Sequence, residues 1–235
     1  MIRGARWWLV RAARRVLFPE ARLIFGYLAE DLIASRLLAS HARTGFYVDV
    51  SCNDPFSLSN TYLLWASGWH GINIDANPAI VQHMRRARPG DRSICALIGN
   101  PGDTRTFTIF RDHAKSTADE GFATRWGPRE GVAGQISLVS RSLHDVLNES
   151  SAPPVIDFLN VDVEGMELEV LRSLDLDAYR VLFMAIEMHG FDAVEPKTHP
   201  TASYLLSRGY RLLAYNGLTG FFGRMENGQL ETPGL

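Results

Sequence analysis

Beyond its N-terminal fifth, the chain alternates short apolar runs with stretches of helical periodicity, and this alternation constrains the fold more than any other feature. Residues 46–50, 71–75 and 93–98 have the length and apolar content of buried strands. Residues 59–66 and 78–86, which lie between them, have helical spacing. Units of this kind form parallel sheets with right-handed crossovers. The sequence therefore predicts an α/β domain.

The C-terminal half continues this pattern but ends differently. Residues 155–161 and 181–186 have the pattern of two more core strands. Residues 210–215 and 219–225 flank Asn216-Gly217, a dipeptide that accepts the positive φ angles of a tight antiparallel turn. We predict a mostly parallel sheet of seven strands that ends in an antiparallel hairpin.

The middle of the chain is less regular. Residues 104–110 and 136–139 have strand patterns, and residues 143–147 have a helical one. Residues 115–134 are polar and glycine-rich, so we predict an irregular insertion, which either folds over the substrate as a lid or is plain solvated surface. Specificity would then depend on its charged side chains, which are His113, Lys115, Arg125 and Arg129.

Residues 1–44 precede the α/β pattern, and we predict that they form an N-terminal helical extension to a domain of residues 45–235. Pro19 splits this stretch into two helices, because proline restricts the residue before it. Residues 1–18 combine arginines with Trp7-Trp8, which is typical of a basic amphipathic helix. Two interpretations stay open: the helix lies on a membrane surface, or it packs on the sheet or a second subunit.

Composition excludes several classes of function. Cys52 and Cys95 fit no zinc or multi-disulfide spacing. The apolar runs are shorter than a secretory signal or a membrane span requires, so we expect an unexported, cytoplasmic protein. A formal net charge of −2 gives no general attraction to nucleic acid. The cluster Arg85-Arg86-Arg88 is expected at the exposed end of a helix.

Acidic and polar side chains follow four of the predicted strands. They are Asp49, Asp75, Asp162 with Glu164, and Glu187 with His189. The carboxyl ends of parallel strands share one edge of the sheet, where ligands bind. Each residue alone is explained equally well by helix capping or loop solvation. Together they predict a binding site at this edge.

The first two strand ends indicate which ligand binds. Asp75 stands where a carboxylate accepts hydrogen bonds from the ribose hydroxyls of a nucleoside cofactor. Residues 51–55 lack the G-x-G-x-x-G pattern, and a pyrophosphate there would meet Asp49 and Asp54. This acidic loop disfavours an NAD-linked oxidoreductase and suits the ammonium group of S-adenosylmethionine. The reversed strand of the terminal hairpin is likewise expected of class I methyltransferases.

Three ordered motifs resemble one known family. Residues 46–55 (FYVDVSCNDP), 68–78 (GWHGINIDANP) and 156–171 (IDFLNVDVEGMELEVL), with Ser59-Asn60-Thr61, are similar to FkbM-type S-adenosylmethionine-dependent methyltransferases. The similarity covers about residues 45–215. It implies a Rossmann-like methyltransferase domain, usually an O-methyltransferase that acts on hydroxyls of sugars, polysaccharide precursors or polyketide-type metabolites.

The resemblance also implies site residues. The methionine end of the cofactor would face Asp49, the ribose Asp75, and the adenine the turn at Asn100. Asp162 and Glu164 would face the methyl-transfer site. The residues implied to bind the cofactor are Asp49, Ser51, Asn53, Asn60, Thr61, Asp75, Ala76, Asn100 and Asp162.

Two positions depart from the family pattern. The first loop commonly reads D-x-G-A-N, and Ser51-Cys52 replace Gly-Ala here; the ribose acid is more often Glu than Asp75. Serine lacks the freedom of glycine at positive φ. A loop that needs this conformation would bind the cofactor less tightly. The alternative function is therefore a catalytically degenerate, nucleoside-binding or scaffold protein on the same fold.

Methyl transfer to a hydroxyl needs a group that removes the proton. His189, Asp162 and Glu187 are the candidates, and histidine has the solution pKa nearest neutrality. His189 is equally explained as a loop histidine bonded to the backbone. Asp162, Glu164, Glu187 and His189 alternatively hold a hard cation. Because helix capping accounts for two of them, we predict that these four residues act without a metal.

Overall fold

The computed structural model describes residues 23–39 and 44–231, and the following elements belong to these ranges. The helices are α1 (Glu30–Leu37), α2 (Tyr62–Ala66), α3 (Pro78–Ala87), α4 (Glu120–Glu130), α5 (Leu143–Glu149), α6 (Glu167–Arg172) and α7 (Pro200–Ser207). The strands are β1 (Phe46–Val50), β2 (His70–Asp75), β3 (Arg92–Cys95), β4 (Thr104–Phe110), β5 (Val132–Val139), β6 (Val155–Val161), β7 (Arg180–Glu187), β8 (Tyr210–Tyr215), β9 (Thr219–Glu226) and β10 (Gln229–Leu230).

The main sheet confirms the predicted α/β fold. Its seven longer strands lie in the order β3-β2-β1-β6-β7-β9-β8, and β10 adds two residues beside β9 within the described ranges. The pairs from β3 to β7 are parallel, whereas β9 pairs antiparallel with both β7 and β8. The strand order reverses at β1, because the chain adds β2 and β3 on one side of β1 and later adds β6 and β7 on the other. The crevice beside the end of β1 is therefore the expected ligand site.

The sheet is buried on both faces, which explains the nearly continuous apolar strands. On one face Val48, Ile72 and Leu159 pack with α5 and α6 residues. On the other face Tyr47 and Phe158 pack with residues of α1 and α2. No helix of the described residues is long and apolar enough to cross a membrane.

The predicted irregular insertion contains regular structure. Residues 120–130 form α4, and β5 begins at Val132 and pairs with β4 in a separate two-stranded sheet. Gly121, Gly127 and Pro128 conceal this helix because they lower helix propensity. The Asp119 side chain caps it by accepting a hydrogen bond from the Phe122 N–H. The third strand also ends earlier than predicted, at Cys95.

The helical prediction for the N-terminal extension is wrong for residues 23–29, which form turns. Asp31 accepts a hydrogen bond from the Phe25 N–H, and Glu30 accepts one from the Leu28 N–H, both at 2.8 Å. Ala29, at φ 66°, precedes α1 in the left-handed region. These two buried carboxylates stabilise the non-helical conformation of residues 25–28, which helical periodicity does not predict. The predictions for residues 1–22 lie outside the described ranges.

The arginine cluster at the C-terminal end of α3 is exposed only in part. Arg85 and Arg86 are exposed as predicted, but the prediction for Arg88 is wrong, because its exposed fraction is 0%. Its side chain donates hydrogen bonds to Tyr47 in β1, to Thr61 and to the Pro55 carbonyl, all of them far away in sequence. Such long-range partners have no local sequence signal.

Candidate active site

The carboxyl ends of β1, β6 and β7 open into a cavity of about 460 Å³. The sequence-predicted residues that line it are Asp49, Ser51, Asn53, Asn60, Asp162, Glu164, Glu187 and His189. The expected convergence of polar groups at one sheet edge is therefore found. Concave sites with a few convergent polar groups are the usual form of small-molecule sites.

A second, smaller cavity of about 30 Å³ lies beside the end of β2 and is lined by Ser51, Asp75, Ala76, Ile98, Phe107 and Met166, among others. Ser51 borders both cavities. Two predicted residues line neither cavity. Thr61 is buried and contacts Asp49 from behind, and Asn100 is exposed, with its N–H donating to Glu169.

The loop after β1 turns sharply over the end of β2. The N–H groups of Ser51 and Cys52 both donate to the carbonyl of Ile74. Ser51 adopts φ 66° and Asn53 adopts φ 47°, so both lie in the left-handed region. Asparagine tolerates this region, but serine does so at a cost. The loop thus needs the conformation in which glycine would be unstrained.

Asp75 ends β2 and is 7% exposed. Its Oδ2 accepts from the Asn53 N–H at 3.2 Å and its Oδ1 from the Asn77 N–H at 2.8 Å. Burial raises the pKa of Asp75 to about 6, and these backbone hydrogen bonds oppose the rise. Each oxygen retains a lone pair, so the carboxylate can accept two further hydrogen bonds.

Asp49 is almost fully buried at the end of β1. Its Oδ2 accepts from the Thr61 hydroxyl at 2.6 Å, and its Oδ1 accepts from the Asn160 amide at 2.9 Å. Burial raises the pKa of Asp49, whereas the Thr61 hydrogen bond and the charge of Arg88 lower it. Sequence reasoning did not assign Asn160, although a polar residue inside an apolar strand was a usable signal.

Asn160 connects two predicted residues. Its side-chain oxygen accepts from the Asn60 amide at 3.1 Å while its nitrogen donates to Asp49. These two hydrogen bonds fix the orientation of the Asn60 and Asn160 side-chain amides. The end of β1, the turn before α2 and the end of β6 therefore present one hydrogen-bonded polar surface to the larger cavity.

A carboxylate–histidine cluster forms the opposite wall. The Nε2 of His189 lies 3.1 Å from Oε2 of Glu164 and 3.2 Å from Oε2 of Glu187. Hydrogen bonding to Glu164 and then to Glu187 raises the pKa of His189 to about 10. Burial, followed by the charge of Glu187, raises the pKa of Asp162 well above its ordinary range. One ligand atom each of Glu164, Glu187 and His189 lies within 4.8 Å of the others, so these three could hold a metal ion.

The loop between β6 and α6 is held by a buried carboxylate. The Oε1 of Glu167 accepts from the N–H groups of Val163, at 3.3 Å, and Gly165, at 3.0 Å. Glu164 and Gly165 have φ angles of 55° and 111°. Burial raises the pKa of Glu167 to about 7. Glu167 thus aims the Glu164 side chain at His189.

Residues 112–130, here named the cover segment, close the site above this loop. The Thr117 hydroxyl donates to the carbonyl of Glu164 at 2.9 Å. The rings of Phe122 and His189 lie 5.5 Å apart. Lys115, Phe122 and Trp126 line the larger cavity, and the Lys115 ammonium lies 4.8 Å above the Trp126 ring. Of the predicted lid residues, Lys115 reaches the cavity, whereas His113, Arg125 and Arg129 are exposed outside it.

Comparison with known proteins gives one family match. The sequence profile described as "Methyltransferase FkbM domain" matches residues 49–212. No curated protein matches significantly.

Among solved structures, the chain is similar to the N-terminal domain of human METTL16 in complex with SAH, at 11% identity and a TM-score of 0.45, covering 92% of this chain and 79% of that one. It is also similar to a TehB-like SAM-dependent methyltransferase from Corynebacterium glutamicum, at 13% identity and a TM-score of 0.39, covering 94% and 96%. Monomeric WbdD matches at 14% identity and a TM-score of 0.43, covering 83% of this chain and 40% of that one.

Proposed function

The chain belongs to the FkbM methyltransferase family, whose cofactor is S-adenosylmethionine, and from this we propose that it methylates a hydroxyl of a sugar, a glycan precursor or a secondary metabolite. The observation that carries the proposal is the cluster of Asp162, Glu164, Glu187 and His189 in the same cavity as the loop after β1. In this arrangement the side chains that can accept a proton from the acceptor lie in the same cavity as the loop suited to the methyl donor.

The residues present fit the cofactor. S-adenosylmethionine supplies the methyl group that an acceptor oxygen receives. Asp75 has acceptor capacity left for two ribose hydroxyls, and Ala76, Phe107 and Met166 offer apolar contacts to a nucleobase. Asp49 offers a buried carboxylate to the ammonium group of the methionine end.

Proton removal is assigned to Asp162. A base has to be unprotonated before reaction, and His189 is protonated near neutral pH because its pKa is raised to about 10. We therefore give His189 the role of holding the Glu164 and Glu187 carboxylates. Asp162 takes the proton of the acceptor hydroxyl, and the Glu187 carboxylate, which lines the same cavity, favours this protonation through its negative charge. Burial and the neighbouring carboxylates raise the pKa of Asp162, so Asp162 in its deprotonated form is a stronger base than an ordinary carboxylate.

The wall opposite the sheet suits a sugar or another flat polyhydroxyl compound. Phe122 and Trp126 come from the cover segment, and Tyr27 and Leu58 face the same cavity from the N-terminal side. Aromatic side chains pack against the apolar face of a ring, while carboxylates accept hydrogen bonds from its hydroxyls. This combination supports hydroxyl acceptors over large apolar ones.

The proposal is tested by methyl-donor turnover over a panel of sugars, sugar derivatives and polyketide-type alcohols, each paired with its amino analogue. Product analysis that finds a methyl ether supports the proposal, and transfer to nitrogen or carbon overturns it. The same assay is run with EDTA and with added Mg²⁺. Loss with EDTA and recovery with Mg²⁺ would assign Glu164, Glu187 and His189 to a cation instead.

One observation favours a second function. The strained φ of Ser51 in the loop after β1 suits a degenerate nucleoside-binding or scaffold protein, in which tight cofactor contacts are no longer needed. Calorimetry and the turnover assay together separate the two functions. A protein that binds S-adenosylmethionine in calorimetry but methylates no acceptor in the panel belongs to the second class.

We further propose that residues 45–235 form the methyltransferase domain, that residues 1–44 extend it, and that the protein works in the cytoplasm. Residues 1–18 would contact an anionic membrane surface if the acceptor is lipid-linked. Salt-sensitive cosedimentation with anionic liposomes, lost when residues 1–18 are deleted from a still-folded protein, supports that contact. Unfolding or loss of an oligomer on deletion supports the packed-helix interpretation.

A further inference from the structure

Arg88 is a buried cation at the base of the cofactor side of the site. It follows α3 and has an exposed fraction of 0%. Its Nη1 donates to the hydroxyls of Tyr47, at 3.1 Å, and Thr61, at 2.9 Å. Nη1 also lies 3.4 Å from Oδ1 of Asn73, and Nη2 donates to the Pro55 carbonyl at 2.7 Å and the Ser59 hydroxyl at 2.9 Å. A guanidinium removed from water needs such partners and a nearby negative charge.

Two hydroxyl groups connect Arg88 to two carboxylates. Thr61 accepts from Arg88 and donates to Oδ2 of Asp49 at 2.6 Å. Tyr47 accepts from Arg88 and donates to Asp91. Asp91 also accepts hydrogen bonds from the Gly71 N–H and the Asn73 amide, which both belong to β2. Asp91 therefore stabilises β2. Only the Thr61 branch ends at a residue that lines the larger cavity.

The charge of Arg88 acts on Asp49 against the effect of burial. Burial favours the neutral carboxyl of Asp49, and Arg88 favours the carboxylate. The groups that act on Asp49 are Thr61, Asn160, Arg88, Asp91, Asp75 and Cys52. Among these, Arg88 is the cation. Its second contact set, Pro55 and Ser59, fixes the loop that leads from β1 to α2.

We infer that Arg88 is a positioning residue for the cofactor: through Thr61 it holds Asp49 as a carboxylate aimed at the cavity, and it thereby gives the site its preference for ligands with an amino-acid tail. This inference rests on the proposed function, which assigns Asp49 to the cofactor ammonium group. It concerns affinity and ligand preference, because Arg88 itself is shielded from the cavity by Asp49 and Thr61.

The test compares two probes in titration calorimetry. S-adenosylhomocysteine carries the ammonium group, whereas 5′-methylthioadenosine has the same nucleoside and thioether without the amino-acid tail. In Arg88→Met we expect S-adenosylhomocysteine affinity to fall roughly ten- to hundredfold, the range for a lost contact to a charged group. Methylthioadenosine affinity should change by less than about threefold. The pH below which S-adenosylhomocysteine affinity declines should rise in Arg88→Met. Arg88→Lys keeps the charge, so it should restore part of the preference for S-adenosylhomocysteine over methylthioadenosine.

Two further variants keep the test decisive if Arg88→Met does not fold. Thr61→Val interrupts the branch to Asp49 while Arg88 stays, and it should lower the preference for S-adenosylhomocysteine. Tyr47→Phe interrupts the branch to Asp91 and is the matched control, in which the preference should persist. Equal loss of both probes in Arg88→Met and Thr61→Val would overturn the inference, because it would show a merely structural role. An unchanged preference in Thr61→Val would overturn it as well.

Asp49→Asn separates this inference from the function on which it rests. A preference lost in Asp49→Asn but retained in Arg88→Met and Thr61→Val overturns the role of Arg88 alone. A preference retained in Asp49→Asn overturns the placement of the ammonium group at Asp49, and the role of Arg88 with it. A preference lost in all three variants supports both.

Discussion

Replacing Ser51 by glycine should stabilise the protein, because the loop after β1 holds this serine at φ 66°. An L-residue in the left-handed region costs about 1–2 kcal/mol relative to its preferred conformations. Glycine removes that cost but loses about 0.5–1 kcal/mol more backbone entropy on folding. The hydrogen bonds of the Ser51 and Cys52 N–H groups to Ile74 are made by the backbone and survive the change. The expected net gain is therefore about 0.5–1 kcal/mol.

Urea unfolding of wild type, Ser51→Gly and Ser51→Ala measures this gain. Alanine also removes the hydroxyl but keeps the Cβ, so Ser51→Ala isolates the backbone effect. In thermal unfolding of this chain of 235 residues, a gain of this size should raise Tm by about 1–4 °C. A glycine variant no more stable than the alanine variant would refute the reasoning.

Three other expectations follow from the site. Asp75→Asn should weaken S-adenosylhomocysteine binding by about 1.5–3 kcal/mol in calorimetry, and wild-type affinity should decline as pH falls below about 6, where Asp75 becomes protonated; equal affinity in the variant would remove Asp75 from the site. Asp162→Asn should lower kcat on the order of 10²–10⁴-fold and change the Kd of S-adenosylhomocysteine far less, whereas a normal rate would leave proton removal to water. The pKa of His189 is raised from 6.5 to about 10 by folding, so the folded protein holds the extra proton between these values. Its contribution to stability is full below pH 6.5 and is lost as pH rises through 10; urea titrations across this window should show a steeper loss in wild type than in His189→Gln, and equal slopes would contradict the ion pair.

The sheet was predictable because strand identity depends on local apolar runs. The placement of Asp49 and Asp75 at one edge of the sheet was predictable for the same reason, since each ends such a run. The position of Arg88 was not predictable from its helix, because its partners Tyr47 and Thr61 are 41 and 27 residues away in sequence. Only the closed fold brings these groups together.

Helix α4 was missed for a different reason. Its intrinsic propensity is poor, and its stability comes from the Asp119 cap and from packing of the cover segment on the site. The roles within the carboxylate cluster also needed coordinates. Histidine alone suggests a base near neutral pH, but two carboxylates within 3.2 Å of its ring change its protonation. A sequence gives the residue types at a site and leaves their mutual distances open.

The separate sheet of β4 and β5 gives the segment that carries the acceptor wall a strand pairing of its own. Asp49 and Asp75 end strands of the main sheet, whereas Phe122 and Trp126 come from a hairpin insertion with its own strand pairing. Substitutions in α4 can change the acceptor wall without altering the strands that carry Asp49 and Asp75, whereas β4 also supplies Phe107 to the smaller cavity. Divergence of the acceptor wall therefore falls on α4. We expect acceptor choice to diverge faster than cofactor choice among proteins with this architecture.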